Sequence, residues 1–101
     1  MDIETAAEAY RQDGYAKLRI IDEADAARHR AVLEAAERDQ GSIHYKAKIH
    51  TVMRSPFALA THPTVLDMVE ALIGPDVLLY DATYIIKEPH TDAHVSWHQD
   101  L

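Results

Sequence analysis

VLLYDATYIIK, residues 77–87, is the longest run in the chain with strand character. Successive side chains of a strand point to opposite faces. Val77, Leu79, Asp81, Thr83, Ile85 and Lys87 therefore share one face, and Leu78, Tyr80, Ala82, Tyr84 and Ile86 share the other. The second face is apolar and aromatic and is expected to pack on a helix layer. The first turns polar midway, a pattern met both in strands that line the cavity of a barrel or sandwich and in strands with one solvated face. EPHTDA, residues 88–93, reads as a turn, and AHVSWHQD, residues 93–100, as a return strand.

Upstream, helical and extended patterns alternate. Ile3, Ala6, Ala7 and Tyr10 follow helical spacing, Asp2 is placed to cap the start, and Gly14 ends the helix. In YAKLRII, residues 15–21, Ala16, Leu18 and Ile20 alternate with Tyr15, Lys17 and Arg19, which predicts a half-buried strand. Asp22, with Asp25 three residues on, opens a second helix that closes at Gly41. Ala24, Ala27, Ala31 and Ala35 form its small-residue stripe, supplemented by Val32 and Leu33; Arg28, Arg30, Glu34, Glu37 and Arg38 read as its solvated face. Ile43, Tyr45, Ala47 and Ile49 alternate with His44, Lys46, Lys48 and His50, as in a short strand or an extended loop. A brief helical turn follows Pro56. Pro63 opens a last helix whose apolar face is Val65, Leu66, Val69, Leu72 and Ile73, and Gly74-Pro75 stops it.

Composition narrows the function classes. A chain of 101 residues with 48% hydrophobic and 27% charged residues is an ordinary globular domain or part of one. Its net charge of −7 argues against nucleic acid or an anionic membrane surface as the main partner. The absence of cysteine excludes disulfides, thiolate zinc sites and cysteine nucleophiles. The opening MDIETAAEAY has neither a basic segment nor an apolar core of the secretory kind, and no run is long and apolar enough for a membrane span. The expected location is cytoplasmic.

Seven histidines is a high count, and one sits in a chemically suggestive place: His98 and Asp100 flank Gln99. On a strand both project to one side, together with His94 and Ser96, while Trp97 and Gln99 point the other way. An imidazole and a carboxylate so placed are able to chelate one metal ion. A second imidazole would complete the two-histidine, one-carboxylate facial triad, which leaves open positions and suits non-haem Fe(II). His94 is an awkward third ligand on a straight strand. Four residues cover roughly 13 Å at about 3.3 Å each, whereas ligand atoms must approach within about 2.1 Å of the metal. His50, His62 and His90 come from other segments, and spacing selects none of them. A local zinc site of His94, His98 and Asp100 stays open as the rival, as does the plain alternative of a surface histidine.

The longer context resembles a known family. Residues 61–100, THPTVLDMVEALIGPDVLLYDATYIIKEPHTDAHVSWHQD, resemble the phytanoyl-CoA dioxygenase family of Fe(II)/2-oxoglutarate oxygenases. The matching pieces are HPTVLDMVEALIGPD, the hydrophobic strand ending in KEP, and WHQD; DGYAKLRI at 13–20 resembles the family's opening strand. The resemblance implies an α+β chain, a partial double-stranded β-helix of jelly-roll type with N-terminal helices packed outside. It covers residues 1–101 as the N-terminal part of a single oxygenase domain. It implies that His98 and Asp100 are the first two iron ligands. A carboxylate at position 100 points to hydroxylation, since the related halogenases have a small residue there. The implied cofactors are Fe(II) and 2-oxoglutarate, which is decarboxylated to succinate as a small-molecule substrate or acyl derivative is oxidised. Lys87 matches a lysine common in the family, Lys48 lies where members place cofactor or substrate contacts, and Thr83 shares the parity of Lys87; these three are the candidate co-substrate contacts. Ile85 departs from the polar residue some members have there, and Trp97 is expected to pack outside the site.

The family's distal histidine and its anchor for the far carboxylate of 2-oxoglutarate lie beyond residue 101, so the chain alone is expected to bind metal weakly and not to turn over. A second reading is a short non-catalytic binding or assembly module that pairs with another chain, associating through exposed strand edges. A third is a remnant or a deliberately cut piece. The substrate itself is not legible.

Overall fold

The computed structural model describes residues 1–100. Four α-helices follow one another: α1 (Ile3–Asp13), α2 (Glu23–Gln40), α3 (Arg54–Ala60) and α4 (Pro63–Ile73), with a 3-10 turn, Ile49–Thr51, before α3. Local chemistry accounts for their ends. The Asp2 carboxylate accepts from Thr5 N–H at 2.8 Å, and that bond holds its carboxyl below the usual carboxylate range. This cap is therefore present above about pH 4 and lost as the pH falls through the lowered value. Asp22 accepts from Asp25 N–H at 2.8 Å and starts α2 in the same way. Pro63 takes the first position of α4, while His62 Nδ1 accepts from Thr64 N–H at 3.1 Å. Gly14, at φ 81°, closes α1 in the left-handed conformation that only glycine adopts cheaply.

α1 and α4 pack together, and Arg11 donates to the Ala71 carbonyl at 3.0 Å near the end of α4. Ala6 and Ala7 are buried at this contact level, and with Ile43 and Ile49 they make up the buried hydrophobic core. Segment 15–21 runs over the same pair of helices: Ala16 and Leu18 line a cleft with Tyr10, Met68 and Leu72. Its alternation is real, with Ala16, Leu18 and Ile20 half-buried and Tyr15, Lys17 and Arg19 exposed, yet it joins no sheet.

The expected α+β fold is overturned. Among the described residues there is no strand and no sheet, so the partial double-stranded β-helix is not formed and the architecture is helical. Residues 77–87 and 93–100 lack strand pairing. The one pairing is an isolated parallel bridge between His44 and Tyr84. The physical reason lies in the partner. A strand propagates only against a neighbour that is itself extended, and the neighbour here is the loop 43–49. That loop turns through the left-handed region at Tyr45 (φ 58°) and Lys48 (φ 55°), so the ladder cannot extend beyond one bridge. The face reading is half right. Ala82, Tyr84 and Ile86 are half-buried while Asp81, Thr83, Ile85 and Lys87 are exposed, but Leu78 and Tyr80 are exposed instead of packing on helices.

The orientation of α2 is also corrected. Ala24, Ala27, Ala31 and Ala35 are all exposed; the less accessible positions are Asp25, His29, Leu33, Ala36 and Glu37. Alanines present little area to bury, and the bond between His29 Nδ1 and Ser55 Oγ, 2.6 Å, marks the face that meets α3.

Two substitutions probe this fold. Ile49→Ala should lower the unfolding free energy by about 2 kcal/mol, and Asp22→Ala by about 1 kcal/mol. Urea denaturation followed by far-UV circular dichroism at pH 7 measures both.

Candidate metal-binding site

Residues 93–100 form no helix, and no backbone–backbone hydrogen bond is found for them among the described residues. Local bonds orient their imidazoles instead. His98 Nδ1 donates to the Ser96 carbonyl at 2.7 Å, and His94 Nδ1 donates to the Asp92 carbonyl at 2.9 Å. A carbonyl can only accept, so each ring carries its proton on Nδ1 and, when neutral, offers the Nε2 lone pair. His98 Nε2 lies 3.3 Å from Asp100 Oδ1, with the side chains 58% and 97% exposed. Two side chains two residues apart thus converge on one point open to solvent. A 3.3 Å separation is what two ligand atoms, each about 2.1 Å from one cation, adopt at an angle of roughly 100°. The pair therefore fits two adjacent positions of a metal ion; with a proton on Nε2 it is instead a hydrogen-bonded ion pair. Among the described residues no group of three or more histidine, aspartate or glutamate side chains is placed to hold a metal ion, so no third side chain joins the pair.

The other histidines sort themselves by their bonds. His44 Nδ1 accepts from Ile86 N–H at 2.7 Å, His62 caps α4, and His29 holds Ser55. His50 is half-buried and its Nδ1 has no partner. His90 is exposed at a left-handed turn position.

Two of the three expected co-substrate contacts serve one structural junction. Thr83 Oγ1 donates to the Lys46 carbonyl at 2.7 Å. Lys48 N–H donates to Asp81 Oδ1 at 2.6 Å, and its ammonium lies 4.8 Å over the Tyr80 ring. Both belong to the junction between loop 43–49 and segment 80–86. Lys87 is exposed. Trp97 is fully exposed, so the packing expected of it does not occur within this chain. Reading the sequence missed the His29–Ser55 pair, because its partners lie 26 residues apart and neither is part of a motif.

The sequence profile of the family described as Phytanoyl-CoA dioxygenase (PhyH) matches residues 4–101. The chain belongs to that family, which is a family of dioxygenases and hence of oxidoreductases. Comparison with curated proteins found no match, and comparison with solved structures found none. No helix among the described residues is long and apolar enough to cross a membrane.

Because the Thr83 hydroxyl serves the junction, Thr83→Val should cost about 1 kcal/mol of stability. Equilibrium unfolding in urea checks this; an unchanged midpoint would mean the bond to Lys46 contributes nothing.

Proposed function

We propose that this chain is part of an Fe(II)/2-oxoglutarate-dependent dioxygenase of the hydroxylase type, with His98 and Asp100 as iron ligands. The observation that carries the proposal is the 3.3 Å convergence of His98 Nε2 and Asp100 Oδ1 in a member of a dioxygenase family. The donor set supports iron: a neutral imidazole nitrogen and a carboxylate oxygen, without thiolate, suit Fe(II) and leave other positions for a co-substrate and O₂. When bound, ferrous iron supplies the oxygen activation that couples 2-oxoglutarate decarboxylation to substrate oxidation.

The chain's own residues hold and orient. The Ser96 carbonyl fixes the His98 tautomer through Nδ1, the arrangement by which outer groups set a metal-binding histidine. Asp100 contributes negative charge that partly neutralises the cation. Among the co-substrate candidates, Lys87 is favoured for a carboxylate of 2-oxoglutarate. Lys48 and Thr83 are already engaged with Tyr80 and Lys46, and using either would cost those contacts. The substrate class is a small organic molecule or acyl derivative, which the net charge of −7 makes a better partner than nucleic acid.

Anaerobic titration with Fe(II), or with Co(II) as a coloured probe, tests the reading. Binding should weaken by at least roughly tenfold in His98→Ala and in Asp100→Ala, with far-UV circular dichroism unchanged because both side chains are exposed. Metal binding indifferent to both substitutions rejects the assignment.

A further inference from the structure

Side chains carry much of the contact between loop 43–49 and segment 80–86. Asp81 Oδ1 takes Lys48 N–H at 2.6 Å, the Thr83 hydroxyl donates to the Lys46 carbonyl at 2.7 Å, and His44 Nδ1 takes Ile86 N–H at 2.7 Å. Tyr45 N–H to the Tyr84 carbonyl and Ile49 N–H to the Ala82 carbonyl, each 3.0 Å, complete the seam. Along the segment, the bond from Ile86 to His44 closes the far end of this run.

That closing bond differs in kind from the others. A backbone N–H only donates, so His44 Nδ1 is the bare nitrogen and Nε2 carries the ring proton. A protonated imidazole is a donor at both nitrogens. A second proton on His44 therefore sets two donors against each other across 2.7 Å, and the bond is lost. His44 and Ile86 are both half-buried, so the freed N–H does not pass fully into water, and an unpaired donor disfavours the closed seam.

The surroundings leave this response to imidazole. The Tyr45 ring stands beside His44, 4.0 Å between centroids, and Tyr84 forms the bridge opposite it. Lys46 and Lys48 are the lysines of the loop; Asp81, Lys87 and Glu88 belong to the facing segment and its continuation. At the end of α2, Glu34, Glu37 and Arg38 line a cleft with Ser42 and Glu88. Carboxylates ordinarily titrate below the imidazole range, and tyrosine, lysine and arginine above it. His50, on the turn that follows the loop, is the other imidazole nearby, and its Nδ1 holds no bond that a proton would break.

We propose that His44 is a proton-sensitive latch: neutral, its ring closes loop 43–49 on segment 80–86, and protonated, it releases Ile86 so that the seam opens from that end. Only the neutral ring makes the bond, so the latch is closed above the imidazole range and opens as the pH falls through it. Opening frees the backbone that leads into Lys87. The latch is independent of the iron-ligand reading, because neither His98 nor Asp100 takes part in it.

Amide hydrogen exchange of the full chain, read by nuclear magnetic resonance and expressed as protection relative to the free amide, tests the latch. The range runs from about pH 8 to about pH 5.5, either side of the ordinary imidazole value of about 6.5. Across it, protection of the Ile86, Tyr45 and Ile49 amides should fall at least roughly fivefold, while amides in the middle of α1 keep theirs. His44→Asn offers a carbonyl oxygen near the position of Nδ1 and does not titrate, so the same amides should hold their protection over the whole range. His44→Leu, without an acceptor, should give the low protection at both ends. Ring nitrogen chemical shifts of the unaltered chain at the alkaline end should place the His44 proton on Nε2. A proton on Nδ1 there overturns the latch, as does Ile86 protection that ignores pH. A pH dependence that persists in His44→Asn overturns it too and assigns the effect to His50 or another group. Should either variant not fold, the tautomer and the exchange of the unaltered chain decide between these outcomes.

Discussion

Loop 43–49 is clasped to segment 80–86, and the non-helical half of the molecule depends on that clasp. Tyr45 N–H donates to the Tyr84 carbonyl and Ile49 N–H to the Ala82 carbonyl, each at 3.0 Å. Side chains lock the same seam from both directions: Asp81 takes Lys48 N–H, Thr83 gives its hydroxyl to Lys46, and His44 takes Ile86 N–H. These partners lie 33 to 42 residues apart, so each bond closes a long loop and gains only when the others are present. The seam also explains why Ile43 and Ile49, its two ends, are buried in a chain with so small a core. Side-chain bonds at the seam outnumber the rungs of a regular ladder because the loop cannot stay extended through two left-handed residues.

Histidine in this chain is a structural residue first. Three rings spend Nδ1 on holding the fold: His29 ties α2 to α3, His44 anchors Ile86, and His62 caps α4. His94 and His98 bond only to carbonyls two residues away, a contact that sets the tautomer without tying the ring to another element. Hydrogen bonding within the chain thus separates imidazoles that anchor one element to another from those that bond only locally.

Helix boundaries were legible in the sequence because they are local events. Asp2, Asp22 and Pro63 start helices and Gly14, Gly41 and Gly74 end them, each by a bond or torsion within a few residues. The side-chain alternation in 15–20 and 81–87 was legible for the same reason. The strands were not, since extended backbone becomes a sheet only with a partner whose geometry lies elsewhere in the chain. The alanine stripe of α2 misled because small apolar residues exert little pull, and the His29–Ser55 bond holds another face against α3.

What the sequence by itself determined is helices α1, α2 and α4 with the residues that bound them, the family through its residue pattern, and the placing of His98 and Asp100 two apart on one side; the third helix starts at Arg54, two residues before the expected Pro56. What only the tertiary structure decided is that residues 77–87 lie against a turning loop instead of a sheet, and that Thr83 and Lys48 serve that seam. The division follows from range: capping and periodicity are settled within one or two turns of chain, whereas pairing and the direction of a side chain depend on what the rest of the molecule brings alongside.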